Sequence, residues 1–366
     1  MPSSKTKKKE ADAFLVLDRI DLDTPAGVNQ ALVEVAAQTS KDPLKFVQIA
    51  FPWGKDTLAG WDGPDAWQVD VLTSMRDYLQ RGDEEGAISA YLDATAAGHG
   101  VGKSALVAWI TLWSMATFPD TRGNVTANTD TQLRTKTFAE VTKWFNLCLF
   151  KSWFRISATC VCSRQKDHDK TWRFDAIPWS ESRPEGFAGL HNARKRIMVI
   201  FDEASAIADI IWEVVEGAMT DKVFGNPTRN TGRFYECFNK YRHRWVHRHV
   251  DGRTAIGTDK KKIATWIQDY GIDSDFVRVR VLGQFPSASS LQFIPRAIVD
   301  EAMQRPLEYC SYYRQVVILG VDVARFGDDA SVICCRIGTD ARSYPAKEFR
   351  GLDGWELAAK IAEVYN

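Results

Sequence analysis

The feature that most constrains this chain is the run Gly98-His99-Gly100-Val101-Gly102-Lys103-Ser104. An apolar stretch, Ala90-Tyr91-Leu92-Asp93-Ala94, comes before it, and a helical pattern, Ala105-Leu106-Val107-Ala108-Trp109-Ile110, comes after. Strand, glycine-rich turn and helix in that order predict an α/β layer fold with the turn at a helix N-terminus. Glycines without a Cβ let several backbone N–H groups converge on one anion, and the helix end adds partial positive charge. With Gly-Lys-Ser closing the turn, the expected anion is a nucleoside triphosphate. Lys103 would reach the β- and γ-phosphates, and the Ser104 hydroxyl would ligate Mg²⁺. Ala97 stands where the usual pattern opens with glycine, so Gly98 and Gly100 must supply the flexibility. The alternative is a glycine-rich strand–helix turn that binds no nucleotide, and the rest of the chain decides between the two.

Residues 88–240 alternate strand and helix patterns. Strands are predicted at Ile88–Asp93, Gly123–Ala127, Ile156–Cys162, Thr171–Ile177, Arg196–Phe201 and Lys222–Phe224. Helices are predicted over 103–117, 130–150, 207–218 and 232–240. Such alternation predicts a mostly parallel sheet with helices on both faces. Upstream, residues 26–50 carry a helical period, and Trp67, Val71, Met75, Tyr78 and Leu79 describe an amphipathic helix. Residues 1–25 read as a disordered basic tail, 26–240 as the nucleotide-binding domain with its helical lead-in, and 241–315 as a subdomain and linker. Residues 316–366 read as the opening of a second α/β unit, with strands at Val316–Val323, Ser331–Ile337 and Arg342–Arg350 and a helix over Trp355–Tyr365.

A second constellation is Arg196-Ile197-Met198-Val199-Ile200-Phe201-Asp202-Glu203. Five consecutive apolar residues predict a strand buried on both faces. Its C-terminal end, where α/β sheets place their ligands, delivers two carboxylates. Asp202 is suited to hold Mg²⁺, and Glu203 to orient or deprotonate the attacking water. A third, Lys222-Val223-Phe224-Gly225-Asn226-Pro227-Thr228, is a strand ending in polar groups beside a proline turn. Asn226 or Thr228 could sense the γ-phosphate; a plain Asn-Pro turn is the alternative. Upstream, the Gln68 amide matches the donor–acceptor edge of adenine, with Trp67 near the base. Finally, in Leu319-Gly320-Val321-Asp322-Val323 a buried strand would deliver Asp322 as the first carboxylate of a metal-dependent nuclease site.

Composition narrows the classes. The 366 residues carry no net charge and seven cysteines. Zero charge argues against a stable nucleic-acid coat but not against a machine that grips DNA transiently. No apolar run approaches a membrane span, no signal peptide is visible, and the cysteine spacing fits no metal pattern. His243, His247 and His249 alternate with Arg242, Arg244 and Arg248, which reads as an exposed solvated strand or a basic DNA-facing one.

These sites, in this order, resemble the large terminase subunit of tailed bacteriophages. The likeness rests on Gln68, Gly98–Ser104, Val125–Gln132, Asp202-Glu203, Gly225–Thr228, Asp275–Pro286 and Gly320–Asp322. It implies a P-loop, RecA-like packaging ATPase followed by the start of a ribonuclease H-like nuclease. It implies ATP and Mg²⁺ at Gly98, His99, Gly100, Val101, Gly102, Lys103 and Ser104. In addition, Asp202 would hold metal, Glu203 would activate water, and Asn226 would couple hydrolysis to movement. Asp322 would be a nuclease ligand for Mg²⁺ or Mn²⁺. The implied partners are double-stranded DNA, a portal protein, a small terminase subunit and sister copies in a ring on the prohead, with no membrane. The implied location is the bacterial host cytoplasm and, transiently, the prohead, not the mature virion. Relatives carry an arginine in the loop where His99 stands, so a cation from elsewhere, Arg253 or Arg194 or a neighbouring subunit, is expected. A helicase-like translocase and an inactive prophage remnant are the alternatives.

Overall fold

A computed structural model describes residues 23–85, 91–127, 129–180, 196–215, 220–287, 301–306, 314–324 and 329–365. They fall into two units, Met1–Phe293 and Ile294–Asn366. The basic tail lies, as far as residue 22, outside the described residues.

The helical period over 26–50 is carried by two helices. Helix α1 (Pro25–Thr39) is capped by Thr24, whose hydroxyl accepts from Gly27 N at 3.1 Å. Helix α2 (Pro43–Ala50) starts afresh because Pro43 has no N–H to continue the earlier helix, and Asp42 caps the new one. Helix α3 (Ala66–Glu85) follows, then β1 (Tyr91–Ala97), the glycine-rich loop and α4 (Lys103–Thr117). The main sheet continues with β2 (Arg122–Thr126), β3 (Phe154–Ile156), β4 (Cys160–Ser163), β5 (Arg173–Ala176), β6 (Ile197–Phe201), β7 (Thr220–Gly225) and β8 (Val246–Val250). Helices α5 (Phe138–Leu147) and α6 (Asp209–Val215) pack on it. The expected strand Ile156–Cys162 is instead an antiparallel hairpin of β3 and β4.

The strand order is β3-β4-β5-β2-β6-β7-β1-β8. From β5 to β8 every pairing is parallel, and β3 and β4 are antiparallel additions at one edge. The apolar run of β6 shows why the sheet is covered twice. Met198 and Ile200 join the core around α4, while Ile197, Val199 and Phe201 join a second core with Ile211, Trp212 and Val215 of α6. Alternate side chains of a strand point to opposite faces, so an unbroken apolar strand needs a layer on each side.

Two local differences from the sequence reading share one cause. Strand β1 runs to Ala97, beyond the predicted Asp93, and β8 belongs to the main sheet beside it. Arg248 was expected on an exposed or DNA-facing strand. Its guanidinium instead lies 2.7–2.8 Å from both carboxylate oxygens of fully buried Asp93 and 2.9 Å from Asp70 of α3. A polar residue that reads as the end of a strand is an interior position once its ion partner arrives from across the sheet. Two further helices, α7 (Lys260–Tyr270) and α8 (Asp275–Arg280), follow β8, capped by Asp259 and Ser274.

In the second unit β9 (Val317–Asp322), β10 (Ser331–Ile337) and β11 (Lys347–Phe349) form an antiparallel sheet in the order β11-β10-β9, followed by helix α9 (Gly354–Tyr365). The strand carrying Asp322 is not the buried strand expected. Val317 and Ile318 are 56% and 46% exposed, and Asp322 is exposed as well. As the outer strand of this sheet, β9 pairs on one side only among the described residues.

Candidate functional site

Strands β2, β6, β7 and β1 are neighbours, and their C-terminal ends form one edge of the sheet. The glycine-rich loop leaves β1, the Asp202-Glu203 pair leaves β6, and Asn226 leaves β7. Three segments far apart in sequence thus meet because parallel strands put like ends together.

The loop is fitted closely to the chain beyond β8. Gly98 N donates to Val250 O at 3.2 Å and His99 N to Arg280 O at 2.8 Å. A Cβ on Gly98 would lie 2.6 Å from Val281 O, so no larger residue fits that backbone approach. Gly102 caps α4 with φ 93°, a left-handed conformation natural to glycine. The N–H groups of Gly98 and His99 are thus taken up by this fit, which leaves the end of the loop and the first turn of α4 as the part suited to an anion.

The side chains at the edge form one hydrogen-bonded chain. The Lys103 ammonium donates to Gly98 O at 2.9 Å and to Asn226 Oδ1 at 2.6 Å. The Asn226 amide in turn donates to Glu203 Oε2 at 3.5 Å, and the Ser205 hydroxyl to Asn226 O. Burial lowers the pKa of Lys103, while Glu203 and Asp202 oppose that shift. Asp202 is buried: its N donates to Thr126 O at 2.8 Å, Oδ1 accepts from Glu203 N at 3.1 Å, and Oδ2 accepts from the Thr137 hydroxyl at 2.6 Å. Burial raises the pKa of Asp202, and burial together with the Asp202 charge raises that of Glu203. Glu203 has φ 58° and ψ 43°, left-handed for a non-glycine residue. Such a backbone costs about 1–3 kcal/mol and is retained where the surroundings hold it.

Further cations gather round the loop. The His99 imidazole is held down to about 4 by desolvation and by the charges of Lys103, Arg280, Lys262 and Lys136. A neutral histidine amid four cations marks a positive field, which suits a polyanion. The donor set also fits Mg²⁺: a serine hydroxyl at Ser104 and a carboxylate at Asp202 are hard oxygen ligands. A divalent ion would relieve the cost of burying Asp202 beside Glu203.

Gln68 lines a cavity beside the loop and also bonds to the chain itself. Its Oε1 accepts from Asp65 N at 2.8 Å and its Nε2 donates to Gly102 O at 3.0 Å, while Trp67 Nε1 donates to Val101 O. Both residues tie α3 to the loop backbone. A cavity of about 250 Å³ lies beside them, lined by Trp53, Trp61, Trp109, Trp144, Asp65 and the loop glycines. The larger cavity of about 610 Å³, around Val33, Trp153 and Trp172, is not lined by the loop or the acidic pair.

Other expected residues stand apart. Arg253 is paired with Asp251 at 2.6 Å, and Arg194 and Asn128 lie outside the described residues. Thr228 is exposed and donates its N–H to Asn226 O. Asp322 belongs to the second unit, and among the described residues no cluster of three or more His, Cys, Asp or Glu is placed to hold a metal ion. Thr137 was missed: an isolated threonine within a helical pattern carries no sequence signal.

Comparison with known proteins agrees with the resemblance to large terminases. No family model matches the chain. A probable terminase large subunit of Enterobacteria phage P7 is 27% identical over 293 residues, covering 72% of this chain and 57% of that protein. The crystal structure of the HK97 bacteriophage large terminase superposes with a TM-score of 0.50 at 14% identity, over 81% of this chain and 64% of that one. The large terminase of a thermophilic bacteriophage, in complex with ADP, gives a TM-score of 0.47 at 14% identity over 82% and 74%. The chain thus spans somewhat over half the length of the phage P7 relative. It resembles a probable terminase large subunit in sequence, and it shares the α/β fold of the HK97 large terminase.

Proposed function

We propose that this chain, a relative of phage large terminases, is an ATP-hydrolysing subunit of a motor that moves double-stranded DNA into proheads. The observation that carries this reading is the meeting of Lys103, Asn226, Glu203 and Asp202 at one sheet edge, beside a loop of backbone donors.

The triphosphate sits in the Gly98–Ser104 loop, and its base enters the tryptophan-lined cavity beside Gly100 and Gly102. Gln68 acts on the loop itself, holding Gly102 through its amide. Ser104 and Asp202 would hold Mg²⁺, which would supply charge neutralisation to the phosphoryl transfer. Lys103 binds phosphate, which draws its ammonium from Asn226. Glu203, its pKa raised by burial, takes a proton from the attacking water. With Lys103 withdrawn and Glu203 engaged, Asn226 exchanges partners at the end of β7, and that exchange is the link from hydrolysis to movement. Lys136, Arg280 and Lys262 supply positive field in the place of a loop arginine. Asp322 would serve a nuclease module completed by further carboxylates, with Mg²⁺ or Mn²⁺. A portal, a small subunit and sister copies in a ring are the partners, in the host cytoplasm and on the prohead. A helicase-like translocase is the weaker reading, because the described strands of the second unit pair antiparallel, unlike those of a RecA-like sheet.

The test is equilibrium binding of ATP with Mg²⁺. The parent chain should bind, and Lys103→Ala should weaken binding by roughly 100-fold or more, as for loss of a charged contact to phosphate. Equal affinity of the two proteins would refute the site.

A further inference from the structure

The segment between β2 and α5 reaches the acidic pair by an unusual route. Asp130–Gln132 starts as an α-helix, Leu133–Thr137 is wound as a π-helix, and α5 resumes at Phe138. A π turn holds an extra residue, so it re-aims the side chains that follow it, and such turns recur at functional sites. Here Leu133, Thr137 and Phe138 are fully buried, and Lys136 is exposed. The Thr137 hydroxyl lands 2.6 Å from Asp202 Oδ2, across 65 residues of sequence. The other oxygen, Oδ1, is engaged by Glu203 N, so the two donors together fix the rotation of the carboxylate.

We propose that Thr137 is a positioning residue for the metal-binding carboxylate: its hydroxyl locks Asp202 in the orientation that receives Mg²⁺. Partners that orient metal ligands in this way commonly set metal affinity by a factor of about 10–100. The π turn therefore has a stated purpose, since it brings a threonine from the segment after β2 onto the carboxylate at the end of β6. Lys136, the preceding residue, is exposed, so the segment meets the acidic pair through Thr137. The inference rests on the nucleotide site described above.

The test uses the whole chain and the variants Thr137→Val, which keeps the shape and loses the hydroxyl, and Thr137→Ser, which keeps the hydroxyl. ATP binding is followed as Mg²⁺ is titrated, and again in excess chelator, with thermal unfolding as the check on folding. Thr137→Val should shift the Mg²⁺ midpoint upward by roughly 10-fold or more. In that variant, metal-free ATP affinity should stay at the parent value. Thr137→Ser should return the midpoint to near the parent's. If the parent binds Mg²⁺-ATP and Thr137→Val shows the parent midpoint, the role of Thr137 is refuted while the nucleotide site stands. Equal shifts in Val and Ser variants would show a packing role only and would also refute it. A parent that binds no ATP would overturn both readings.

Discussion

At the residue scale the site is a balance of buried charges. Asp202 and Glu203 are side by side at the end of a buried strand, and Lys103 is the cation in hydrogen-bonded contact with their network through Asn226. Asn226 therefore holds the lysine and the glutamate apart by one amide, oxygen toward one and nitrogen toward the other. His99 reports the same field from the loop side. Its pKa of about 4 follows from desolvation first, then from Lys103, Arg280, Lys262 and Lys136. The sign is that of a depressed base. The folded chain binds fewer protons than the unfolded one between about pH 4 and 6.5, so this group's contribution to stability is complete above 6.5 and lost on going down to 4. An NMR titration of the His99 ring should show a midpoint near 4 without nucleotide and an upward move when ATP binds. A midpoint near 6.5 in the free protein would contradict the cationic surroundings.

At the element scale, the loop and the β1–β8 pair depend on contacts that a local reading of sequence does not reveal. Gly98→Ala would drive a Cβ into Val281 O, a backbone atom that cannot step aside. Overpacking of that kind costs about 1–3 kcal/mol, to be read as a lower denaturation midpoint. Arg248→Ala would strip the buried Asp93 carboxylate of its counter-ion. Removing one partner of such a pair costs roughly 3–5 kcal/mol, and a chemical denaturation curve unchanged from the parent's would show the pair to be dispensable. These positions also mark what the sequence made legible. The β6 run and the β1–loop–α4 order are periodic, local signals, so the parallel sheet could be read directly, and with it the strand ends that bring Lys103, Asp202, Glu203 and Asn226 together. The Asp93–Arg248 pair spans 155 residues and the Thr137–Asp202 bond 65, and neither residue type announces its partner. Helices α7 and α8 were missed for a simpler reason. α8 has only six residues, and although Asp259 and Ser274 are ordinary cap residues, each helix buries a single residue, so neither carries a strong apolar period.

At the scale of the whole molecule, the nucleotide site and Asp322 belong to different units. Asp322→Ala should therefore leave the steady-state rate of ATP turnover at the parent value, measured as phosphate release. A large loss in that variant would mean that the second unit takes part in hydrolysis. The proposed ATP site rests on side chains that meet, and the proposed nuclease site on a single exposed aspartate at the end of β9. The claim on which everything else depends is that Glu203 activates water in a site that binds ATP through other groups. Glu203→Gln keeps the shape and removes the base. In the whole chain it should bind ATP with Mg²⁺ as tightly as the parent and hydrolyse it at least about 100-fold more slowly in a single-turnover measurement. Turnover at the parent rate by that variant would contradict the account.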